Sequence, residues 1–421
     1  MWPRGEWLAD ALATHLGSVV PVTRTTKLPG PTSLDELGGV ADNQYRRDPV
    51  VASGVVNFCS GESYRDTVRA AAKVLVDGGL VVFPTETVYG IGARADDRNA
   101  VERLRRVKGR DERKPFTVHV GRRDELDRYV PQVSGIGKRL VRRGWPGPLT
   151  LLFPVADVEA APIVREIDRE AAMSLYHEGT IGLRCPDDAR ARDLLNEAGC
   201  PVVAASANLA GNPAARDVSE ALRDLEGRVD LILDGGRTRL AVPSTIVRLN
   251  GTGFKVVRAG VYDERSLRKM AALNVLFVCT GNTCRSPMAA AMFQRLLAER
   301  LRGDPAARGG VVVRSCGVSA GGGSRASQEA IEVLSRRGID LSGHRSRALT
   351  PELVHEADHI YVMTQGHLDS VVRMVPSARD RCRPVGDGDV EDPIGGSTDV
   401  YAECADRIEA GLRARLQEVE I

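Results

Sequence analysis

Apolar residues in this chain fall into short solid runs and longer spaced patterns. Leu80, Val81, Val82 and Phe83 form one solid run, and Val275, Leu276, Phe277 and Val278 form another that ends at Cys279. Runs of this length bounded by turn residues predict buried strands. Helical spacing covers Tyr64–Val76, and Gly78-Gly79 marks its stop. Behind Leu80–Phe83 the segment PTETVYGIGA reads as a loop of small hydroxyls and glycines. After Cys279 a five-residue stretch and Arg285 lead to Ser286 and Pro287, which sit where an N-cap and a first helical position belong. A weaker helical pattern (Trp7, Leu8, Ala11, Leu12, Leu16) opens the chain and passes into TRTTKLPGPTSLDELGG, a turn-rich stretch expected to be poorly ordered. An extension (1–62) and a charged connector containing DERSLRKM (262–273) set off two longer segments, 63–261 and 274–421, whose bounds as α/β domains rest on the motifs and resemblances given below. No internal repeat relates the two halves.

A length of 421 residues suits two or three domains, each with its own core. With 58 basic against 56 acidic residues the net charge is +2, which argues against a surface wholly devoted to nucleic acid and leaves room for a local basic groove. Eight scattered cysteines without C-x-x-C pairs or metal spacing point to reduced thiols, and no metal site is expected. No apolar stretch approaches the roughly 20 residues of a membrane span, and the N-terminus lacks the apolar core of a secretory signal. A cytoplasmic location with no membrane partner is the expectation.

The stretch VCTGNTCRSP (Val278–Pro287) carries the densest chemistry. A loop pinned between a strand and a helix can turn its backbone N–H groups inward as an anion nest, and the helix adds its positive end. Cys279 supplies a sulfur nucleophile and Arg285 a planar two-pronged donor for phosphate oxygens. A helix end contributes only about 0.3–2 kcal/mol, so charge-assisted hydrogen bonds at roughly 1.5–3 kcal/mol each must do most of the stabilising of a thiolate. Backbone amides, Ser286 and Arg285 are the available donors.

With its Cys, five residues, Arg and Ser, this stretch resembles the low-molecular-weight protein tyrosine phosphatases, from about Asn274 to the C-terminus. The resemblance implies a parallel sheet flanked by helices, with the loop at a strand's carboxyl end. It implies Cys279 as nucleophile, Arg285 as phosphate clamp, Asn282 as the residue shaping the loop and Ser286 as thiolate partner. Asp392 in EDPIGGS would be the general acid, protonating the leaving group as phosphocysteine forms and then activating water. No cofactor is implied. The aromatic pair that usually follows the Asp-Pro is replaced by Ile394, Gly395 and Gly396, which reshapes the substrate slot. Thr283, where a larger aliphatic residue is usual, together with the GGS looks like the bacterial protein arginine phosphatases, because a hydroxyl at the mouth can accept a hydrogen bond from a guanidinium. The expected substrate is a phosphoprotein bearing phosphoarginine or phosphotyrosine. Arsenate reductases share the fold, but YVMTQGHLDSVV lacks the cysteine pair of their relay. Cys284 is either a reversible disulfide partner for Cys279 or a plain buried thiol.

The first half presents an unrelated set of motifs. KGRDERKPFTVHV places Lys108, Arg110 and Lys114 before a strand ending near His119, a cationic cluster suited to a polyphosphate. WPGPLT, GTIGLRCP, AASAN (Ala204–Asn208), DGGRTRLAVPSTIV and VVRAG follow in order. Together, across about Tyr64–Val261, they resemble the YrdC family of threonylcarbamoyl-AMP synthases, with a twisted open α/β sheet. The implied reaction joins L-threonine, bicarbonate and ATP to give threonylcarbamoyl-AMP and pyrophosphate, for a modified adenosine in tRNA. The resemblance implies contacts to threonine from Thr87, His119, Arg184 and Ala204. It implies contacts to ATP from Arg110, Lys114, Thr180, Ser206, Asn208, Ser244 and Arg258, with Mg2+ accompanying the nucleotide and tRNA or tRNA-modification proteins as indirect partners. No side chain stands out as a proton carrier, which agrees with catalysis by positioning and charge neutralisation. The rival readings are an RNA-binding module that has lost synthesis, and a phosphoprotein-binding domain with a dead phosphatase site.

Overall fold

The structure, a computed structural model, describes residues 54–58, 62–109, 115–251, 253–301 and 310–419. The expectation of disorder over 1–53 and 59–61 lies outside the described residues. The chain divides into two compact units, one ending at Glu264 and one running from Arg265 that also takes in Ser134–Leu140.

The first unit is built on ten strands: β1 (Gly54–Asn57), β2 (Val81–Phe83), β3 (Gly90–Arg94), β4 (Thr117–His119), β5 (Leu149–Pro154), β6 (Thr180–Arg184), β7 (Val202–Ser206), β8 (Leu231–Asp234), β9 (Thr245–Leu249) and β10 (Phe254–Arg258). They form one mixed sheet in the order β1-β8-β2-β3-β7-β4-β6-β5-β9-β10. Two features correct the sequence reading. Gly54–Asn57, assigned to the extension, pairs in parallel with β8 as an edge strand, so the first unit begins earlier. GIGA is not loop but most of β3, antiparallel to β2 and β7. Glycines are poor strand formers, yet here the Phe83 ring fills the space above them: a Cβ on Gly92 would lie 2.9 Å from Phe83 Cε1.

Helices Glu62–Val76 and Ala189–Ala198 cover the face bearing Val81, Phe83, Val202, Ala204, Leu231 and Leu233. Helix Arg98–Lys108 starts at Asp97, whose carboxylate accepts the Asn99 and Ala100 N–H groups, and ends at Gly109 in the left-handed region (φ 56°). That places Lys108 in the last turn. The connector contains a helix, Glu264–Ala271.

In the second unit β11 (Leu273–Cys279), β12 (Val311–Gly317), β13 (His359–Val362) and β14 (Cys382–Pro384) form an all-parallel sheet in the order β12-β11-β13-β14. Central strand β11 is apolar on both faces because both are covered. Phe277 packs on Phe293 of helix Arg285–Arg300 and on Tyr361 of β13, with ring centroids 5.5 and 5.6 Å apart. All three are at most 1% exposed, and full burial of such a side chain contributes roughly 1.5–3 kcal/mol. Helix Thr398–Gln417 closes the same core through Tyr401, Ile408 and Leu412. Among the described residues no helix is long and apolar enough to cross a membrane.

Candidate active sites

Cys279 is the last residue of β11, and the helix of the second unit begins at Arg285. The loop between them is held by the segment that follows β12. Val318 and Ser319 donate their N–H groups to the carbonyls of Cys279 (2.9 Å) and Thr280 (3.0 Å), and Ser327 donates to Thr283 (3.0 Å). Gly317 makes this approach possible, since a Cβ there would fall 2.5 Å from the Thr280 carbonyl oxygen and 2.9 Å from the Asn282 nitrogen.

Asn282 organises the loop. It is fully buried and adopts φ 56°, a left-handed conformation that asparagine tolerates better than other residues with a side chain. Its Nδ2 donates to Ser286 Oγ and Ser315 Oγ, both at 2.9 Å, and its Oδ1 accepts the Arg347 N–H at 2.9 Å. His344 Nε2 pairs with its carbonyl at 2.7 Å. Its own N–H points at Cys279 Sγ, 3.3 Å away. Among the described residues no backbone carbonyl takes the N–H groups of Gly281, Thr283 or Cys284, as an anion nest at a helix N-terminus requires.

Ser286 departs from the sequence reading. Cys284, not Ser286, occupies the N-cap, and its side chain makes no capping hydrogen bond. The Ser286 hydroxyl lies 2.9 Å from Cys279 Sγ and 3.2 Å from the Cys316 carbonyl, so its single hydrogen is contested between sulfur and backbone. That use explains why it does not cap. Arg285 is 4% exposed. Its Nη1 donates to the Val390 carbonyl (2.9 Å), its Nη2 to Thr280 Oγ1 (3.2 Å) and to Asp392 Oδ2, and its Nε has no partner among the described residues. Asp392, more exposed at 38% of its side chain, thus faces Arg285 from the mouth. Thr283 is half-buried, with its hydroxyl 3.6 Å from Cys284 Sγ. Cys284 pairs with Tyr401 Oη at 3.2 Å, and both Cys279 and Cys284 are free thiols. Burial and the bond to Cys284 push the Tyr401 phenol up to about 12. Ser315, Gly317, His344 and Arg347 escaped sequence reasoning, because they come from segments with no spacing signal relative to Cys279.

In the first unit the sequence-named residues fall into three groups. The first centres on Arg184, 5% exposed at the end of β6. Its Nη2 donates to Thr87 Oγ1 (2.8 Å) and to Glu86 Oε1 (2.9 Å). Glu86, 2% exposed, was not anticipated. Among the described residues Arg184 Nε and Glu86 Oε2 both lack partners, so one edge of this ion pair meets no described polar group. His119 pairs laterally with Arg184 across β4 and β6, and its Nδ1 lies 3.1 Å from the Thr117 carbonyl. Burial, then the Arg184 guanidinium, push its pKa down to about 3.

The second group is Lys108 with Ser206 and Asn208. The Lys108 ammonium donates to the Ser206 carbonyl (2.6 Å), to Asn208 Oδ1 (3.2 Å) and to the Asn208 carbonyl. At 6% exposed it is therefore a buried tie rather than part of an open cationic cluster. Arg110 and Lys114 lie outside the described residues. In the third group Ser244 Oγ lies 2.9 Å from Thr150 Oγ1, and Arg258 Nη2 donates to the Ser244 carbonyl (2.8 Å) and hydroxyl (3.1 Å). Two residues are not brought in. The Ala204 methyl is packed in the core under the helices, and Thr180 closes a bridge with His177, about 13 Å of strand away from Arg184. A cavity of about 520 Å3 lined by Val101, Phe116, Leu175 and Val203, with Arg98 paired to Glu170 at its wall, contains none of these residues. No three His, Cys, Asp or Glu side chains group for a metal among the described residues.

A family model described as Telomere recombination, for Sua5, YciO and YrdC proteins, matches residues 73–260, and one described as Low molecular weight phosphotyrosine protein phosphatase matches residues 274–420. The chain is 36% identical over 203 residues to a threonylcarbamoyl-AMP synthase of Pyrococcus abyssi, covering 48% of this chain and 56% of that protein. It is 38% identical over 193 residues to a putative threonylcarbamoyl-AMP synthase of Mycobacterium leprae, covering 46% of this chain and 82% of that protein. It is 43% identical over 150 residues to a protein-arginine-phosphatase of Geobacillus stearothermophilus, covering 34% of this chain and 93% of that protein. The chain spans about half the length of the Pyrococcus abyssi and Bacillus subtilis synthases it matches, 56% and 49% respectively.

Proposed function

We propose, for a chain that belongs to the Sua5–YciO–YrdC family in its first part and to the low molecular weight phosphotyrosine protein phosphatase family in its second, two separate activities on one polypeptide. The second unit is a phosphatase that works through a phosphocysteine. The Cys279 thiolate attacks phosphorus, the bond from phosphorus to the leaving group breaks, and Asp392 supplies the proton that group needs. Water then attacks the phosphocysteine while Asp392 takes its proton, and phosphate leaves. Arg285 and the loop N–H groups hold the equatorial oxygens throughout. The observations that carry this reading are the polar groups on the sulfur, the Asn282 N–H at 3.3 Å and Ser286 Oγ at 2.9 Å, together with a buried arginine, Arg285, at the start of the helix that the same loop enters. Phosphoarginine is the favoured substrate, supported by the Thr283 hydroxyl and by the likeness to a protein named for that activity. Phosphoarginine and phosphotyrosine proteins assayed side by side test it; preferential release of phosphate from phosphotyrosine refutes the arginine assignment.

For the first unit we propose synthesis of threonylcarbamoyl-AMP. The amine of threonine and bicarbonate give a carbamate and water; the carbamate oxygen attacks the α-phosphorus of ATP and pyrophosphate departs. Arg184, whose Nε has no partner among the described residues, suits the threonine carboxylate, and Thr87 and the neutral His119 suit its other polar groups. Ser206, Asn208, Ser244 and Arg258, together with Arg110 and Lys114, are assigned to the nucleotide, with Lys108 tying Ser206 to Asn208. Magnesium would arrive with the phosphates; the described residues offer no carboxylate cage for it, and no step is assigned to it. The product would feed threonylcarbamoyl transfer to tRNA in the cytoplasm. Pyrophosphate release that requires both threonine and bicarbonate tests this reading, and tight RNA binding without such release would favour the RNA-binding alternative.

A further inference from the structure

A line of hydrogen bonds enters the phosphatase loop from helix Gln365–Met374, outside the Cys279–Ser286 motif. Thr364, the N-cap of that helix, accepts the His367 N–H at 3.4 Å, and its hydroxyl pairs with His367 Nδ1 at 2.9 Å. On the far side of the ring, Nε2 pairs with the Thr280 hydroxyl at 2.9 Å, and Thr280 Oγ1 accepts the Arg285 Nη2–H at 3.2 Å. His367 is 6% exposed, whereas Thr280 is exposed at the loop surface. The same Arg285 nitrogen also donates to Asp392, so a hydroxyl anchored by a buried ring and a more exposed carboxylate draw on one donor.

We infer that His367 is a positioning residue for the phosphatase reaction: acting through the Thr280 hydroxyl, it holds the Arg285 fork so that its remaining N–H groups face a bound phosphoryl group. The inference rests on the phosphatase reading of Cys279 and Arg285. Both neutral tautomers serve it. With the proton on Nδ1 the ring donates to Thr364 and accepts from Thr280; with the proton on Nε2 it donates to Thr280, whose own hydrogen is then released toward the mouth. In either case the Thr280 oxygen keeps a lone pair for Arg285. Burial and the Arg285 charge favour the neutral ring, against the opposing charges of Asp392 and Asp389. A histidine present only to pack the helix would not need a polar partner at both nitrogens, one of them on the loop itself.

The test is a double-mutant cycle in the full chain, read by inhibition of aryl phosphate hydrolysis by inorganic phosphate and by kcat and KM. His367→Ala and Thr280→Val should each weaken phosphate binding about tenfold, the worth of one hydrogen bond to a charged group, and the double variant should be no worse than either single one. His367→Gln, which keeps a neutral donor and acceptor, should recover part of the loss. Losses that multiply in the double variant, or phosphate inhibition unchanged in Thr280→Val, overturn the inference. If His367→Ala does not fold, Thr280→Val at its exposed position carries the test alone. Should the unaltered chain hydrolyse no aryl phosphate, the phosphatase reading fails; calorimetric binding of inorganic phosphate to the same variants still reads the Arg285 fork, so the two failures stay distinct.

Discussion

Replacing Asn282 by alanine removes three side-chain hydrogen bonds, to Ser286, Ser315 and the Arg347 N–H, from a fully buried position. At about 1 kcal/mol each these amount to about 3 kcal/mol. Alanine must also adopt φ 56°, adding about 1 kcal/mol that glycine would not incur. The expected destabilisation of the second unit is therefore about 4 kcal/mol for Asn282→Ala and about 3 kcal/mol for Asn282→Gly, and the difference isolates the backbone conformation. Because the chain has two units, one global unfolding curve is not interpretable, and the unit carrying Cys279 must be followed by its own transition in a calorimetric scan. Hydrolysis of an aryl phosphate should fall in both variants, since the N–H of residue 282 aimed at the sulfur loses its fixed direction. A glycine variant as stable and as active as the parent would show that the side-chain network does not hold the loop.

Cys279→Ser should abolish aryl phosphate hydrolysis while leaving threonine-dependent pyrophosphate release unchanged; loss of both would disprove independent sites. Thr283→Ile, which removes the hydroxyl at the mouth, should move preference from phosphoarginine toward phosphotyrosine substrates, and an unaltered ratio of kcat/KM values defeats the arginine assignment. His119 makes the first unit acid-sensitive. The unfolded chain takes up that proton near pH 6.5 and the folded one only near pH 3, so stability falls as pH drops below about 6.5, by at most about 2 kcal/mol at pH 5. His119→Gln should remove that share of the loss between pH 7 and pH 5 in urea titrations, and equal losses in both proteins would count against a neutral ring.

The second unit was the more legible because its chemistry is local. A solid apolar run, five residues and Arg-Ser dictate strand, loop and helix within one stretch of chain, and Arg285 and Asp392, far apart in sequence, are in contact. The supports of that loop were not legible. Ser315, Gly317, His344 and His367 reach it only through sheet pairing and packing, which no spacing along the chain encodes. The Ser286 cap was misplaced because a hydroxyl beside a helix start has two uses, and the sulfur at 2.9 Å claims it. In the first unit, β3 was hidden by glycines whose partner ring lies seven to nine residues earlier in the chain. Glu86 was passed over as one more loop polar group, although it is the buried counter-charge of Arg184.

The glycine at the end of β12 ties competence to architecture. With no side chain at position 317, the loop around the sulfur lies directly on its neighbour's main chain, like a cast on its mould. A slip in how β12 seats against β11 would distort the anion cradle before any motif residue changed, so damage to the scaffold and loss of turnover should arrive as one event rather than two.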